Sequence, residues 1–348
     1  MKPYHELTRR GQLRRLRKLA ETALPEYGLD GAKLTFQHYE GNAIFRVDLP
    51  DAPVEQDDDV FVPNRYNLRL LSMNDPEATA GELIWLAALQ NEAGLPVPAP
   101  VPTLDGKLLT TRKTPGVPGG KVVSLMRWVD GKQLTQKSLR PHHARAWGRL
   151  VAKLHQFAAG WTPPQGYIRF HWDWDGILGN GVLDEPVDEL IVAMPDKYRE
   201  PFEIISAETR SAMDELSKGP EVYGIVHIDM YLENVLFKSG KPRIIDFEDS
   251  GFGYYLYDLG IIFSQWMWND EMAWFRPVFL EGYTEIRPLK DEQLKTIDLF
   301  IGTRFADFTL WGTAFISHDP GRAKEHRAWR DESGEKLRRY FDERWKDR

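Results

Sequence analysis

Residues 226–250 read VHIDMYLENVLFKSGKPRIIDFEDS, and this stretch decides the fold. It begins with a short polar loop that contains His227, Asp229 and Asn234. Two apolar runs follow, joined by a Gly-containing turn, and the second run leads into Asp246. Runs of this length around such a turn predict two short strands in a hairpin. The loop side chains and the carboxylate after the second run are therefore expected at one edge of that hairpin.

These polar side chains are the ones that phosphoryl transfer from ATP requires. Asp229 would accept the proton of an attacking hydroxyl, while Asn234 and Asp246 would hold Mg²⁺ against the β- and γ-phosphates. We also assign His227 to the catalytic loop, where we expect it to brace the backbone through hydrogen bonds. Each residue type alone is common in turns. The spacing H-x-D-x-x-x-x-N, followed by an apolar strand that ends I-D-F, is far more specific.

The chain before this stretch has the alternation typical of a sheet. Polar and apolar residues alternate over 33–71, which predicts three strands, and Asn74-Asp75-Pro76 offers a cap and a first-turn proline for a helix that ends near Gly94. Two further strands are predicted over 107–112 and 122–129. An earlier amphipathic helix, built on apolar residues from Leu13 to Leu24, is expected to dock onto its own domain rather than onto a membrane.

Helical patterns dominate after residue 130. Strands early and helices late predict an α+β protein of two lobes. We place a nucleotide-binding lobe, with an antiparallel sheet and a helix, at residues 1–126. A mostly helical lobe at residues 127–348 would carry the catalytic hairpin and bind the acceptor.

The early lobe has its own candidate for phosphate binding. Arg69 lies late in the third predicted strand, and Glu82 lies in the following helix. A strand cation held by a helix carboxylate would grip the α- and β-phosphates. Asn42 lies in the turn between the first two strands, where a loop over the phosphates is expected. The competing interpretation is that Arg69 and Glu82 are exposed charges on unrelated elements.

These motifs resemble those of the aminoglycoside phosphotransferase/choline kinase family, whose members share the protein-kinase-like fold. The resemblance extends over about residues 30–265. It rests on the segments His227-Ile228-Asp229, Asn234-Val235-Leu236-Phe237, Ile245-Asp246-Phe247-Glu248-Asp249, Tyr257-Asp258-Leu259, Tyr66-Asn67-Leu68-Arg69-Leu70 and Gly94-Leu95-Pro96-Val97-Pro98.

The resemblance implies a donor, a metal and a set of binding residues. The donor would be ATP, or less often GTP, and the metal Mg²⁺. The acceptor would be a hydroxyl of a small molecule such as an amino-alcohol, a sugar or an aminoglycoside-like compound. Asp229 would be the base, and Asn234 and Asp246 the metal ligands. Residues 124–130 would contact adenine. The implied cofactor-binding residues are Arg69, Glu82, Asn42, Met126 and Trp128.

The chain departs from the family pattern at two positions. Family loops usually read H-G-D-x-H, whereas Ile228 stands at the Gly and Tyr231 at the second His. Ile restricts a backbone that Gly leaves free. Glu248 stands where protein kinases have the Gly of D-F-G, which this family also lacks. We therefore expect the usual chemistry on a loop of altered shape.

Acceptor recognition is expected from acidic and aromatic residues in the C-terminal helices. Carboxylates and Trp rings together suit an amine, through ion pairing and cation–π attraction. Trp residues at helical spacing are more often part of a core, and that interpretation stays open. The candidate acceptor residues are Asp249, Trp268, Asp270, Asp307 and Trp311.

Composition limits the remaining possibilities. The 348 residues carry a net charge of −7, with 42% hydrophobic and 28% charged residues. This balance is typical of a globular protein and argues against a nucleic-acid partner. The absence of cysteine excludes disulfides, thiolate nucleophiles and cysteine-bound zinc. No segment is apolar enough to serve as a secretory signal or a membrane span, so we expect a cytoplasmic protein. A homodimer is compatible with the sequence.

Two other functions compete with a small-molecule kinase. One is a Ser/Thr protein kinase of the same fold, which the short segment after Asp246 disfavours because it leaves little room for a peptide platform. The other is a catalytically silent nucleotide-binding module, which the presence of Asp229, Asn234 and Asp246 disfavours.

Overall fold

A computed structural model describes residues 2–49, 59–71, 75–180 and 185–344. The chain divides into two compact units. The first comprises Met1–Gln133, Pro164–Ile168 and Leu236–Glu248, and the second comprises Leu134–Pro163, Arg169–Val235 and Asp249–Arg348. This division differs from the predicted boundary between residues 126 and 127. Most of the predicted hairpin, including Asp246, packs with the first unit, whereas Asp229 and Asn234 belong to the second.

The first unit is built on an antiparallel sheet of five strands in the order β1-β2-β3-β5-β4. Its strands are β1 (Lys33–Glu40), β2 (Asn42–Asp48), β3 (Phe61–Leu70), β4 (Leu109–Arg112) and β5 (Lys121–Val129). Two helices belong to this unit, α1 (Arg9–Ala23) and α2 (Pro76–Asn91). The pattern of strands and helices predicted for the early lobe is therefore confirmed.

Local sequence explains where these helices begin and what they bury. The Asp75 side chain accepts a hydrogen bond from the Ala78 backbone N–H at 2.9 Å, and Pro76 fills the first helical position of α2. Leu16 and Leu19 of α1 are buried against a core that includes Phe45. Burial of each such leucine contributes about 1.5–3 kcal/mol. The N-terminal helix thus docks onto its own unit.

A second, three-stranded sheet completes the first unit, in the order β10-β9-β6. Its strands are β6 (Lys132–Gln133), β9 (Val235–Lys238) and β10 (Lys241–Ile244). The two predicted hairpin strands are therefore present as neighbours. Asp246 does not end a strand as predicted, because β10 ends at Ile244. It lies two residues further on, in a backbone with a φ of 67°.

The second unit is mostly helical around a small sheet of order β7-β11-β8. The strands are β7 (Phe170–Trp172), β8 (Tyr223–Val226) and β11 (Gly251–Tyr254). The helices are α3 (Pro141–Gly160), α4 (Trp174–Leu178), α5 (Val187–Ala193), α6 (Asp196–Leu216), α7 (Tyr255–Ser264), α8 (Phe275–Thr284), α9 (Asp291–His318) and α10 (Ala323–Arg344). The strand β11 lies between Asp246 and α7, and the helical pattern after residue 130 did not reveal it.

This arrangement positions the predicted catalytic loop. β8 runs into His227, and β11 pairs with β8 in antiparallel register, with Gly251 opposite Val226. The helix that follows β11, α7, is buried along its whole length. In the described part of the chain, no helix combines the length and the apolar character required to cross a bilayer.

Candidate active site

The loop after β8 has a strained start. Ile228 has a φ of 70°, in the left-handed region that β-branched residues rarely adopt. Such a residue costs of order 1–3 kcal/mol and persists only where its surroundings hold it. Gly would adopt this conformation freely, whereas Ile at this position adopts it at an energetic cost.

A buried carboxylate holds that strained segment. Asp258 of α7 accepts hydrogen bonds from the backbone N–H groups of His227 at 2.9 Å and Ile228 at 2.8 Å. His155 of α3 lies 3.1 Å from the same carboxylate through Nε2, and its Nδ1 lies 3.0 Å from the Tyr283 hydroxyl. The chain Tyr283–His155–Asp258 thus ties α8, α3 and α7 to the catalytic loop.

The protonation states follow from this geometry. Burial alone would raise the pKa of Asp258, but the hydrogen bonds from His155 and from the His227 backbone N–H lower it, so Asp258 is anionic at neutral pH. Burial also lowers the pKa of His155, against the opposing effect of Asp258. His155 is therefore neutral. Its partners assign the tautomer: Nε2–H donates to Asp258, and Nδ1 accepts from Tyr283.

The buried imidazole predicts a pH dependence of stability. His155 is neutral when folded but gains a proton below about pH 6.5 when unfolded. The unfolded state then binds more protons, so the free energy of unfolding should fall by up to about 1.4 kcal/mol per pH unit below pH 6.5. Urea unfolding from pH 7.5 to 5 measures this slope. A His155→Gln variant should be less stable at pH 7.5 and should show a shallower slope. An unchanged slope in that variant would contradict the assignment.

Asp229 and Asn234 lie together at the far end of the loop. The Asn234 Nδ2 donates to Asp229 Oδ2 at 2.7 Å and to the Asp229 backbone oxygen at 2.9 Å. The Asp229 backbone N–H donates to His227 Nδ1 at 3.3 Å. Because the amide nitrogen of Asn234 faces the aspartate, its amide oxygen is the atom that could bind a cation. The loop therefore presents a carboxylate and an amide oxygen side by side.

The first unit contains a cavity of about 560 Å³. The residues that line it include all five predicted cofactor-binding residues together with Asp246, that is Asn42, Arg69, Glu82, Met126, Trp128 and Asp246. Apolar side chains form another part of the wall, namely Ile44, Leu86, Val129, Leu236 and Ile245. A cavity with one apolar part and one charged part suits a ligand with a flat ring and an anionic tail.

The charged part of the cavity centres on Arg69. Its Nη2 lies 2.5 Å from Glu82 Oε2, and both side chains are 4% exposed. The interpretation of these residues as unrelated surface charges was therefore wrong. Burial alone would lower the pKa of Arg69, but Glu82, Glu248 and Asp246 raise it, so the guanidinium stays charged. Its buried Nε has no hydrogen-bond partner among the described residues. An unpaired buried donor costs about 1–3 kcal/mol, which an anionic ligand oxygen would offset.

Glu248 adds a contact that the sequence did not reveal. Its Oε2 accepts a hydrogen bond from Asn42 Nδ2 at 2.6 Å and lies 3.4 Å from Arg69 Nη1. The residue at the Gly position of D-F-G therefore links Asn42, at the start of β2, to the buried cation. Nothing in the spacing of the sequence indicated this link.

The described residues fit Mg²⁺ only together with a ligand. Among residues 2–49, 59–71, 75–180 and 185–344, no three His, Cys, Asp or Glu side chains form a cluster able to hold a metal. Mg²⁺ commonly takes one or two protein ligands and completes its shell with phosphate oxygens and water. The Asp246 carboxylate and the Asn234 amide oxygen are each a type of ligand atom that Mg²⁺ accepts.

Comparison with known proteins identifies the family. The family model described as "Phosphotransferase enzyme family" (APH) matches residues 56–290, which is more than half of the chain. The chain belongs to this family. It is a phosphotransferase with the protein-kinase-like α+β fold that the resemblance implied.

Relatives of this phosphotransferase include named kinases. A homoserine kinase of Rhizobium meliloti (strain 1021) is 23% identical over 268 residues, covering 72% of this chain and 77% of the relative. The solved structure of a microcompartment-associated aminopropanol kinase, 24% identical, superposes with a TM-score of 0.74 over 94% of this chain and 98% of that one. Amicoumacin kinase hAmiN, in complex with AMP-PNP, Ca²⁺ and Ami, has a TM-score of 0.70 at 19% identity and covers 95% of this chain and 96% of its own.

The predicted acceptor residues of this phosphotransferase lie on several elements of the second unit, and their described surroundings differ. Asp307 is buried and joins the catalytic loop through Arg304, which lies within 2.7 Å of Asp307 and 3.4 Å of Asp229. Trp268 donates from Nε1 to Glu343 of α10 at 2.8 Å. The three others have different surroundings: Asp249 is exposed beside β11, Asp270 is exposed in a short 3-10 helix, and Trp311 packs on Phe315.

Proposed function

We propose that this phosphotransferase moves the γ-phosphoryl group of ATP to a hydroxyl of a small molecule. The observation that supports it most is the catalytic loop, in which Asn234 and the anchored backbone fix the Asp229 carboxylate. In this proposal Asp229 is the base, and Asn234 and Asp246 hold Mg²⁺.

The nucleotide would bind in the cavity of the first unit. Its volume of about 560 Å³ suits a nucleotide, and its apolar wall suits the adenine ring, next to Met126 and Trp128. Arg69, held by Glu82, would bind phosphate oxygens through its fork of N–H groups. Asn42 bonds to Glu248, which also contacts Arg69, so Asn42 would lie beside the phosphates that Arg69 binds. GTP would fit the same features.

The chemical step requires one proton transfer. An Asp229 oxygen takes the proton of the acceptor hydroxyl, the hydroxyl oxygen forms a bond to the γ-phosphorus, and the bond from that phosphorus to the β–γ bridging oxygen breaks, releasing ADP. When bound, Mg²⁺ neutralises charge on the β- and γ-phosphates. The protein contributes position: Asn234 orients the base, and Asp258 holds the backbone of the loop.

We further propose an amino-alcohol as the acceptor. Two relatives are named for homoserine and aminopropanol, which both carry an amine and a hydroxyl. The carboxylates proposed for acceptor binding, among them Asp249, would attract an ammonium group. A peptide acceptor has less support, because only residues 247–250 separate Asp246 from β11, which is too short for a peptide platform.

An acceptor panel tests the proposal. The purified protein with Mg·ATP is assayed for ADP release with L-homoserine, 1-amino-2-propanol, choline, an aminoglycoside, a sugar and a nucleoside, and products are examined by ³¹P NMR. We expect Mg-dependent turnover and a phosphate ester with an amino-alcohol. Label from γ-³²P-ATP entering lysate proteins would support a protein kinase instead. ATP that raises the melting temperature without transfer to any compound would indicate a silent module.

A further inference from the structure

Arg304 of α9 is a buried cation beside the proposed base. It is only 5% exposed, which is rare for arginine and requires partners that satisfy its charge. Its Nη1 donates to Asp307 Oδ2 at 2.7 Å, and its Nε donates to the Tyr231 hydroxyl at 3.0 Å. Its Nη2 lies 3.4 Å from Asp229 Oδ1. The three nitrogens of one guanidinium therefore contact three different residues, Asp307 on α9 and Tyr231 and Asp229 in the catalytic loop.

The guanidinium is itself held in place. The ring centroid of Phe308 lies 3.8 Å from its central carbon, and the Tyr257 hydroxyl donates to Asp307 Oδ2 at 3.0 Å. Because the guanidinium is planar and rigid, fixing Nε and Nη1 also fixes Nη2. Tyr231 and Asp307 thus determine how the Arg304 Nη2 is oriented toward Asp229.

Both carboxylate oxygens of Asp229 consequently have a defined neighbour. Asn234 Nδ2 donates to Oδ2, and Arg304 Nη2 lies next to Oδ1. Two contacts from opposite sides restrict rotation of the carboxylate about its side-chain bonds. The Asp229 carboxylate is therefore already oriented when the acceptor hydroxyl binds, and its rotation does not have to be restricted anew at each turnover.

We propose that Arg304 is a positioning residue for Asp229, and that Tyr231 and Asp307 form the frame that aims it. This inference rests on the proposed function. Tyr231 occupies the position at which the resembling family usually has its second His, so the hydroxyl that accepts from Arg304 is a feature of this chain. Arg304 acts through Asp229 and makes no bond to the reacting atoms.

Kinetics of matched variants test the inference. Arg304→Ala alone would leave Asp307 buried and unpaired, so Arg304→Met with Asp307→Asn, which removes both charges, is the main variant. We expect kcat to fall by about 10- to 100-fold. The KM for ATP and the KM for the panel compound that the protein phosphorylates should each change by less than about twofold. Tyr231→Phe should lower kcat by a smaller factor. Arg276→Met, which removes a half-exposed partner of Asp298, should leave both constants unchanged.

Two further measurements distinguish a positioning role for Arg304 from a role in substrate binding. Guanidinium chloride at millimolar concentration should restore part of the kcat of Arg304→Ala, and Arg304→Lys should keep more activity than the double variant. A raised acceptor KM with an unchanged kcat would overturn the inference, because it would place Arg304 in substrate binding. Unchanged kinetics would overturn it equally.

A crystallographic comparison decides the inference even if the panel yields no substrate, in which case the proposed function itself fails. In wild-type crystals we expect the Asp229 carboxylate between Asn234 and Arg304. In Arg304→Met/Asp307→Asn crystals we expect the carboxylate to rotate away from Asn234. If it keeps the same rotamer and the same bond to Asn234, the inference is wrong.

Discussion

An Asp229→Asn variant is expected to lose kcat by about 10²- to 10⁴-fold, which is the range associated with loss of a general base. The amide that replaces the carboxylate cannot take the proton of the acceptor hydroxyl. Asp229 is not among the residues that line the cavity proposed for the nucleotide. Nucleotide affinity should therefore change by less than about twofold. Steady-state ADP release and calorimetric titration with a non-hydrolysable ATP analogue measure the two quantities.

The control for this substitution is a matched change elsewhere in the second unit. Asp214 lies exposed on α6, and Asp214→Asn makes the same chemical change on a helix surface. We expect its kcat and its nucleotide affinity to equal those of the wild type. Full activity in Asp229→Asn would end the proposed mechanism. A loss of nucleotide binding in that variant would show that the substitution acts through the structure rather than through the proton transfer.

Local sequence was sufficient to predict the elements that carry the site. β2 alternates in burial residue by residue, and α2 begins at its capping Asp75 and Pro76. The pairing of Arg69 with Glu82 could also be predicted, because the strand and the helix that carry them are consecutive in the chain. Short strands were missed. β6 has two residues and β7 has three, which is too few for a periodic pattern.

Long-range contacts could not be predicted in the same way. Arg304 lies 75 residues from Asp229, and His155 lies 103 residues from Asp258. Only the tertiary packing of α3, α7 and α9 brings these pairs together. One signal was available: Asp258 is the single charged residue in the otherwise apolar segment YLYDLGIIFS, and a lone carboxylate in a buried helix requires a partner. That pattern predicts a buried hydrogen bond or ion pair to Asp258, but it does not identify the partner residue.

The backbone of the loop explains why Asp258 matters beyond its charge. Ile228 adopts a conformation that its side chain disfavours, and the two N–H groups that Asp258 accepts belong to Ile228 and its neighbour His227. Strain of this kind persists only while the surrounding bonds outweigh it. The carboxylate therefore stabilises the loop in the shape that places Asp229 next to Asn234.

Replacing Asp258 with Ala should accordingly have the largest effect on stability. The change removes the acceptor of two buried N–H groups and the partner of His155, and removal of one member of a buried charged network costs about 3–5 kcal/mol. Thermal and urea unfolding measure this loss, and kcat should fall with it because the loop loses its anchor. Asp298→Ala removes a carboxylate from a half-exposed pair with Arg276, where about 0–1 kcal/mol is expected. Equal losses in the two variants would show that Asp258 does not hold the loop, and the strain at Ile228 would then need another source of compensation.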